Sequence, residues 1–164
     1  MTAFSLVSPE FIEQGVLTKA HEYNDFGGSG DNRSPALKWS NVPDGTRSLA
    51  ITVYDPDAPT GSGFWHWVAF DIAPDADALT PDAGHKDGAA LPQGAVQSAN
   101  DYGFHGFGGA CPPEGAGPHR YVFTLHALST DKLGIDAGAT NAVARFLIHA
   151  NTIASTSLTA LYQR

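Results

Sequence analysis

Alternation of apolar and polar residues with a period of two marks three segments of the chain and predicts three β-strands. In residues 49–55, one face carries Leu49, Ile51, Val53 and Asp55. In residues 65–72, one face carries His66, Val68, Phe70 and Ile72. In residues 119–127, one face carries His119, Tyr121, Phe123, Leu125 and Ala127. Because successive side chains of a strand point to opposite faces, we expect each strand to bury one of them.

Near the C-terminus the apolar residues change to a helical spacing. The positions at this spacing, all apolar except Ser157, are Val143, Phe146, Leu147, Ala150, Ile153, Ala154, Ser157, Leu158 and Leu161. Thr140 is the predicted N-cap. The whole pattern predicts a mainly β fold. A two-sheet antiparallel β-sandwich with a C-terminal helix would bury the apolar faces of these strands.

Three segments between the predicted elements have the composition of loops. Residues 26–34 and 103–118 are rich in glycine and proline. Residues 73–100 are rich in Ala, Asp, Gly and Pro and show no sustained period. Long ordered loops in compact domains are often functional, so 73–100 is a candidate surface for a partner protein.

Length and charge limit the classes of function. The 164 residues (17.2 kDa) suit a single domain over 1–164, and 42% hydrophobic with 16% charged residues is a globular composition. Nine Lys and Arg against 17 Asp and Glu give a net charge of -8. This charge argues against nucleic acid or an anionic membrane as the main partner.

Cysteine usage and hydropathy predict a cytoplasmic location. One cysteine excludes an internal disulfide framework and suits a reducing compartment. The opening MTAFSLVSPEF has no signal-peptide pattern, and no apolar run approaches membrane-spanning length. We therefore expect a soluble protein without stable membrane insertion.

The strand pattern also predicts a site. If the first two strands form an antiparallel pair across the loop DPDAPTGSG, Asp55 and His66 meet at one rim of the sheet. If the third strand runs in the same direction as the second, His119 reaches that rim. One carboxylate and two imidazoles would then surround a small pocket, which is an arrangement typical of ligand sites.

The loop GGACPP suggests how a ligand could be held there. Gly108 and Gly109 would let the backbone approach it, Pro112 and Pro113 would stiffen the wall, and successive N–H groups could form an anion nest. Two nearby aspartates would repel an anion and so need another role. They could fix the histidine tautomers and favour the charged imidazoles, or Asp57 could meet an ammonium group of the ligand.

Three stretches together resemble the phosphatidylethanolamine-binding protein family, in particular its bacterial and archaeal Raf-kinase-inhibitor-like branch. They are NRSPALKWSNVPDGTRSLAITVYDPDAPTGSGFWHW, NDYGFHGFGGACPP and PHRYVFTLHAL, and the resemblance runs from Phe4 to about Tyr162. It implies a β-sandwich whose rim pocket accepts phosphate or phosphorylated headgroups, without a metal or cofactor. It further implies a homodimer and a cis peptide bond in the Asp-Pro turn. The ligand-binding residues that it implies are Asp55, Pro56, Asp57, Pro59, His66, Gly109, Pro112, His119 and Tyr121.

Other readings stay open on the sequence alone. The DPDAP segment could be a plain turn. The Asp and His residues could catalyse a hydrolase or lyase reaction, either as a metal triad or by acid–base chemistry. Cys111 could be a nucleophile, although a half-buried thiol is the simpler interpretation. Arg120 is predicted to pack or pair away from the pocket, and His21, His85, His105, His126 and His149 to be structural or on the surface.

Overall fold

A computed structural model describes residues 3–164, which form nine β-strands, one α-helix and one short 3-10 helix. The strands are β1 (Ser5–Val7), β2 (Gly15–Val16), β3 (Leu37–Ser40), β4 (Ser48–Asp55), β5 (Phe64–Ile72), β6 (Ala78–Leu79), β7 (Val96–Gln97), β8 (His119–Leu128) and β9 (Thr152–Tyr162). Helix α1 (Asn141–Asn151) lies between β8 and β9, and the 3-10 helix covers Lys19–His21.

The strands form two sheets. The small sheet has the order β1-β3-β6 and the large sheet the order β2-β9-β8-β4-β5-β7. All neighbours in the two sheets are antiparallel except β2 and β9, which run parallel. Strand β4 therefore lies between β5 and β8, and both run in the direction opposite to β4. This is the arrangement that lets Asp55, His66 and His119 meet at one rim of the sheet.

Two apolar layers hold the elements together. The larger lies between the sheets, where Leu37 and Trp39 of the small sheet join Ile51, Trp67 and Phe123 of the large sheet. The smaller lies between the large sheet and α1, and its buried residues are Ala50, Val68, Phe70, Leu128, Ala144 and Ile148. The layers of the fold are therefore, in order, the small sheet, the large sheet and helix α1. This confirms the predicted mainly β sandwich with a C-terminal helix.

The predicted face of residues 65–72 is wrong because β5 contains two irregularities. Val53 pairs with Trp67 but Tyr54 pairs with Trp65, so His66 is an extra residue. A bulge of this kind turns consecutive side chains to the same side. His66 and Trp67 consequently both face the inner side of the large sheet, whereas Trp65 packs on the helix side. Between Leu49 and Ile51 the register shifts again, opposite residues 69–72.

The predicted C-terminal helix is correct only in its first half. Thr140 is the N-cap, and its side chain accepts a hydrogen bond from the Val143 backbone N–H. Helix α1 ends at Asn151, and the rest of the predicted helix is strand β9, which pairs with β8 along its length. The predicted apolar face is also wrong, because Val143 and Phe146 are exposed.

With 11 residues, α1 is too short to span a bilayer, and no other helix within residues 3–164 has the length and hydropathy to do so.

Candidate functional site

A buried histidine–aspartate pair lies at one rim of the large sheet. Asp55 is the last residue of β4 and His119 the first of β8. His119 Nδ1 lies 2.7 Å from Asp55 Oδ2, and the Asp57 backbone N–H donates to Asp55 Oδ1 at 2.8 Å. Because the carboxylate accepts, His119 donates from Nδ1, and its Nε2 makes no hydrogen bond to residues 3–164. The pair fixes the orientation of the imidazole.

His66 is the second imidazole at this rim, and the structure assigns its tautomer. Its Nδ1 lies 2.7 Å from the Gly108 carbonyl oxygen, which can only accept, so Nδ1 carries the hydrogen. Complete burial lowers the pKa of His66, although the Gly108 carbonyl partly opposes this. His66 is therefore neutral near pH 7. The expectation that aspartate keeps both histidines charged is wrong for His66.

Tyr121 contributes an unused donor. Its side chain is 2% exposed, and its hydroxyl lies near the Asp55 carboxylate but makes no hydrogen bond of normal geometry to residues 3–164. Burial, and then the negative charge of Asp55, raise the pKa of Tyr121, so the hydroxyl stays protonated. A buried hydroxyl without a partner is unfavourable, and an acceptor on a ligand would satisfy it.

These side chains surround a cavity of about 190 Å³. Its walls are largely apolar and aromatic. The lining residues are Phe26, Asp55, Ala58, Pro59, Thr60, Phe64, His66, Tyr102, Cys111, Pro112, Pro113, His119 and Tyr121. Pockets for drug-sized ligands occupy roughly 300–1,000 Å³, so this one suits a smaller molecule.

The structure brings together six of the nine residues that the resemblance implies: Asp55, Pro59, His66, Pro112, His119 and Tyr121. Pro56, Asp57 and Gly109 do not line the cavity. The Asp55–Pro56 peptide bond is trans, because residues 3–164 contain no cis peptide bond.

Asp57 is bound by Arg120. Its carboxylate accepts from Arg120 Nε at 3.0 Å, from Nη2 at 2.8 Å and from the Arg120 backbone N–H at 2.8 Å. The Arg120 guanidinium lowers the pKa of Asp57 to about 2. Arg120 therefore pairs away from the cavity, as predicted. The Asp57 carboxylate therefore already has a cationic partner and does not line the cavity, so the geometry gives no support to a contact between Asp57 and a ligand ammonium group.

The glycine loop has a structural role at Gly109. The Gly108, Gly109 and Ala110 N–H groups donate to His66 O, Asn32 Oδ1 and His21 O. The predicted anion nest is therefore wrong at these three residues. A Cβ on Gly109 would clash with the backbone of residues 21–23. The missing side chain lets two protein segments approach each other and does not serve approach to a ligand.

Sequence reasoning missed six lining residues: Phe26, Ala58, Thr60, Phe64, Tyr102 and Cys111, whereas Pro113 was predicted as part of the wall and lines it. Phe64 could have been found, because it lies two residues before His66 on the same strand. Tyr102 lies in a loop without periodicity, and its place depends on stacking against Tyr23 with ring centroids 3.9 Å apart. No local pattern indicates such a contact.

The Cys111 thiol and the His and Asp side chains of this cavity bear on the nucleophile and metal-triad hypotheses. The Cys111 thiol is half-buried and lies 3.5 Å from the Phe26 carbonyl oxygen, and burial raises its pKa. A raised pKa opposes thiolate formation. Within residues 3–164, no three His, Cys, Asp or Glu side chains are placed to hold a metal ion. Asp55 and His119 point their polar atoms at each other and His66 points Nδ1 at Gly108.

The fold and cavity define the class: a β-sandwich protein with a small, mostly apolar pocket at one rim and a His–Asp pair inside it. Residues 7–163 match the family model described as phosphatidylethanolamine-binding protein. The chain belongs to this family.

Relatives with similar sequences include two proteins of Escherichia coli (strain K12). The UPF0098 protein YbcL is 48% identical over 161 residues, which cover 98% of this chain and 88% of YbcL. The UPF0098 protein YbhB is 43% identical over 157 residues, which cover 96% of this chain and 98% of YbhB.

Solved structures show the same similarity. The crystal structure of E. coli YbcL, described as a new member of the mammalian PEBP family, superposes with a TM-score of 0.97 at 47% identity and covers 99% of both chains. The structure of CT736 from Chlamydia trachomatis has a TM-score of 0.83 at 28% identity, covering 100% of this chain and 99% of that protein.

Proposed function

We propose that the protein binds a small phosphate-bearing anion in the rim cavity, with phosphate or a phosphorylated headgroup as the ligand class. The observation that carries this proposal is the Tyr121 hydroxyl, a buried and protonated donor that lies near Asp55 without a hydrogen bond of normal geometry to residues 3–164. It lines the same cavity as His119 and His66. A phosphate oxygen is a strong acceptor and would satisfy the hydroxyl.

The free nitrogen of His119 supplies a second contact for such a ligand. Because Nδ1 donates to Asp55, Nε2 is the atom left to hydrogen-bond a phosphate oxygen or hydroxyl. Tyr121 and His119 would thus bind ligand oxygens.

His66 selects a different feature of the ligand. Because its Nδ1–H is used on Gly108, neutral His66 offers Nε2 as an acceptor. A ligand group with hydrogens, such as an ammonium or a protonated phosphate oxygen, satisfies that acceptor. Phe64 and Pro112 of the apolar wall would contact a short carbon chain. A phosphoethanolamine headgroup has all three features, whereas inorganic phosphate lacks the carbon chain.

Calorimetric titration with phosphoethanolamine and with inorganic phosphate tests the proposal on three proteins: wild type, Tyr121→Phe and Tyr162→Phe. Tyr121→Phe removes only the buried donor, so its affinity should fall by about tenfold or more. Tyr162→Phe is the matched control, because its hydroxyl bonds Glu22 outside the cavity. Equal affinities of wild type and Tyr121→Phe would overturn the proposal.

The remaining hypotheses stay predictions from the sequence. A hydrolase or lyase would show turnover of a phosphate ester, and sensitivity of that turnover to EDTA would identify the metal version. The homodimer is tested by light scattering after gel filtration, and the cytoplasmic location by fractionation of cells. A regulatory partner that binds residues 73–100 would lose its binding when that loop is replaced.

A further inference from the structure

A second cavity lies on the opposite face of the large sheet, under α1. It measures about 200 Å³, and its lining includes Thr52, Trp65, Val122, His126, Arg145 and Ile148. Residues 52 and 54 alternate with Asp55 along β4, and residues 122, 124 and 126 alternate with Tyr121 along β8. Because alternate residues point to opposite faces, the sheet separates this cavity from the rim cavity.

Arg145 brings a positive charge to the second cavity. Its guanidinium lies 4.0 Å from the centre of the Trp65 ring, and its Nε and Nη2 donate to Asn141 Oδ1 at 3.1 and 2.9 Å. The side chain is half-buried, and no carboxylate in residues 3–164 forms a salt bridge with it, although Asp101 is linked to it through Asn141 and partly offsets its charge. Its Nη1 makes no hydrogen bond to those residues. Arginine normally pairs with an anion when it is partly buried.

The buried imidazole of His126 is a second, independent feature that points to a ligand in this cavity. Its side chain is 5% exposed, Nε2 lies 3.1 Å from Thr52 Oγ1, and Nδ1 is buried without a partner in residues 3–164. The tautomer with hydrogen on Nδ1 lets Nε2 accept from the Thr52 hydroxyl. Nδ1 would then be a second donor in the cavity that Arg145 also lines. A buried polar atom left unpaired calls for a ligand atom or another partner.

We propose that this second cavity binds a small organic carboxylate. One carboxylate oxygen accepts from Arg145 Nη1 and the other from His126 Nδ1, while an apolar body packs between Trp65, Val122 and Ile148. Carboxylate is favoured because its two oxygens can accept from two separate donors, and its single negative charge meets a guanidinium charge that Asp101 only partly offsets. The proposal does not depend on the rim cavity.

The test is a titration of isotopically labelled protein with benzoate, followed by ¹⁵N NMR at the Trp65 indole N–H. Benzyl alcohol, which has a similar size and no charge, is the matched ligand. The Trp39 indole is an internal control, because it donates to the Ala76 carbonyl oxygen away from the cavity. In wild type, benzoate should shift the Trp65 signal saturably and leave that of Trp39 unchanged.

Two variants assign the binding to Arg145. Arg145→Met should weaken benzoate binding by about tenfold or more, and Arg145→Lys, which keeps the charge without the planar fork, should weaken it less. Tyr121→Phe should leave it unchanged. Three results would overturn the proposal: no saturable shift of Trp65 in wild type, an equal affinity in Arg145→Met, or an equal response to benzyl alcohol. If Arg145→Met fails to fold, the wild-type comparison of the two ligands and Arg145→Lys still decide.

Discussion

His126 should make the stability of the protein depend on pH. Burial, and then the nearby charge of His149, lower the pKa of His126 from 6.5 to about 4. The two rings are T-shaped with centroids 5.7 Å apart, and Arg145 lines the same cavity. His126 is therefore neutral in the folded state at pH 5, whereas the same ring in the unfolded chain is charged.

The size of the effect follows from proton linkage. Below pH 6.5 the unfolded chain takes up a proton at His126 that the folded protein binds only near pH 4, so the free energy of unfolding falls as the pH falls. Between pH 7 and pH 5 this single ring should cost about 2 kcal/mol of stability. Buried His21 and His66, whose pKa values are also lowered, act in the same direction.

Urea unfolding of wild type and His126→Gln at pH 7 and pH 5 measures the contribution of the His126 ring to the pH dependence of the free energy of unfolding. The variant should lose about 2 kcal/mol less than wild type over this interval, because glutamine does not titrate and His21 and His66 contribute equally to both proteins.

Equal losses of stability in wild type and His126→Gln would refute the reasoning. That result would mean that the folded protein protonates His126 as easily as the unfolded chain does, for example because the cavity under α1 admits water and relaxes around the charged ring.

Three further variants test individual contacts, each by urea unfolding. Arg120→Ala should cost little stability, since the pair with Asp57 is partly exposed, and should raise the pKa of Asp57 from about 2 towards its ordinary value in a carboxyl NMR titration; an unchanged pKa would contradict the pairing. Gly109→Ala should cost at least about 2 kcal/mol because its Cβ meets backbone, whereas Gly117→Ala, with positive φ but open space, should cost about 1 kcal/mol; equal costs would remove the packing argument. Thr140→Ala should cost about 1 kcal/mol, and no loss would mean that this cap does not stabilise α1.

The parts of the fold that follow a simple period were predictable. The alternation in residues 49–55 and 119–127 gives the correct inner face, because β4 and β8 pair without interruption from Ser48 to Tyr54. The same rule fails in β5, where the bulge at His66 has no signal in a list of apolar positions. It nevertheless places His66 beside Tyr121, with ring centroids 5.3 Å apart. The irregularity is therefore part of how the cavity is built.

The helix prediction for the C-terminal segment was wrong for a different reason. Ile153, Leu158 and Leu161 continue the helical spacing of α1 by coincidence, although they belong to β9. Burial within β9 alternates, and its partner along the whole length is β8. Long-range pairing of this kind overrides a local period and cannot be seen in the segment itself.

The candidate site shows the same division. The rim position of Asp55, His66 and His119 follows from strand order and direction. The capture of Asp57 by Arg120 does not follow from the sequence, because it depends on two side chains 63 residues apart. The N–H groups of the glycine loop likewise donate hydrogen bonds to residues 21 and 32, which are distant in the sequence.

The most direct test of phosphate binding at the rim is a thermal-shift titration of wild type and His119→Ala with phosphoethanolamine and with ethanolamine. At 100 times the dissociation constant a bound ligand adds about 2.7 kcal/mol, which for a chain of this size corresponds to a rise in Tm of roughly 5–10 °C. We predict this rise for wild type with phosphoethanolamine, little or none with ethanolamine, and a loss of the rise in His119→Ala. An equal rise in His119→Ala, or none in wild type up to saturating concentration, would contradict the account.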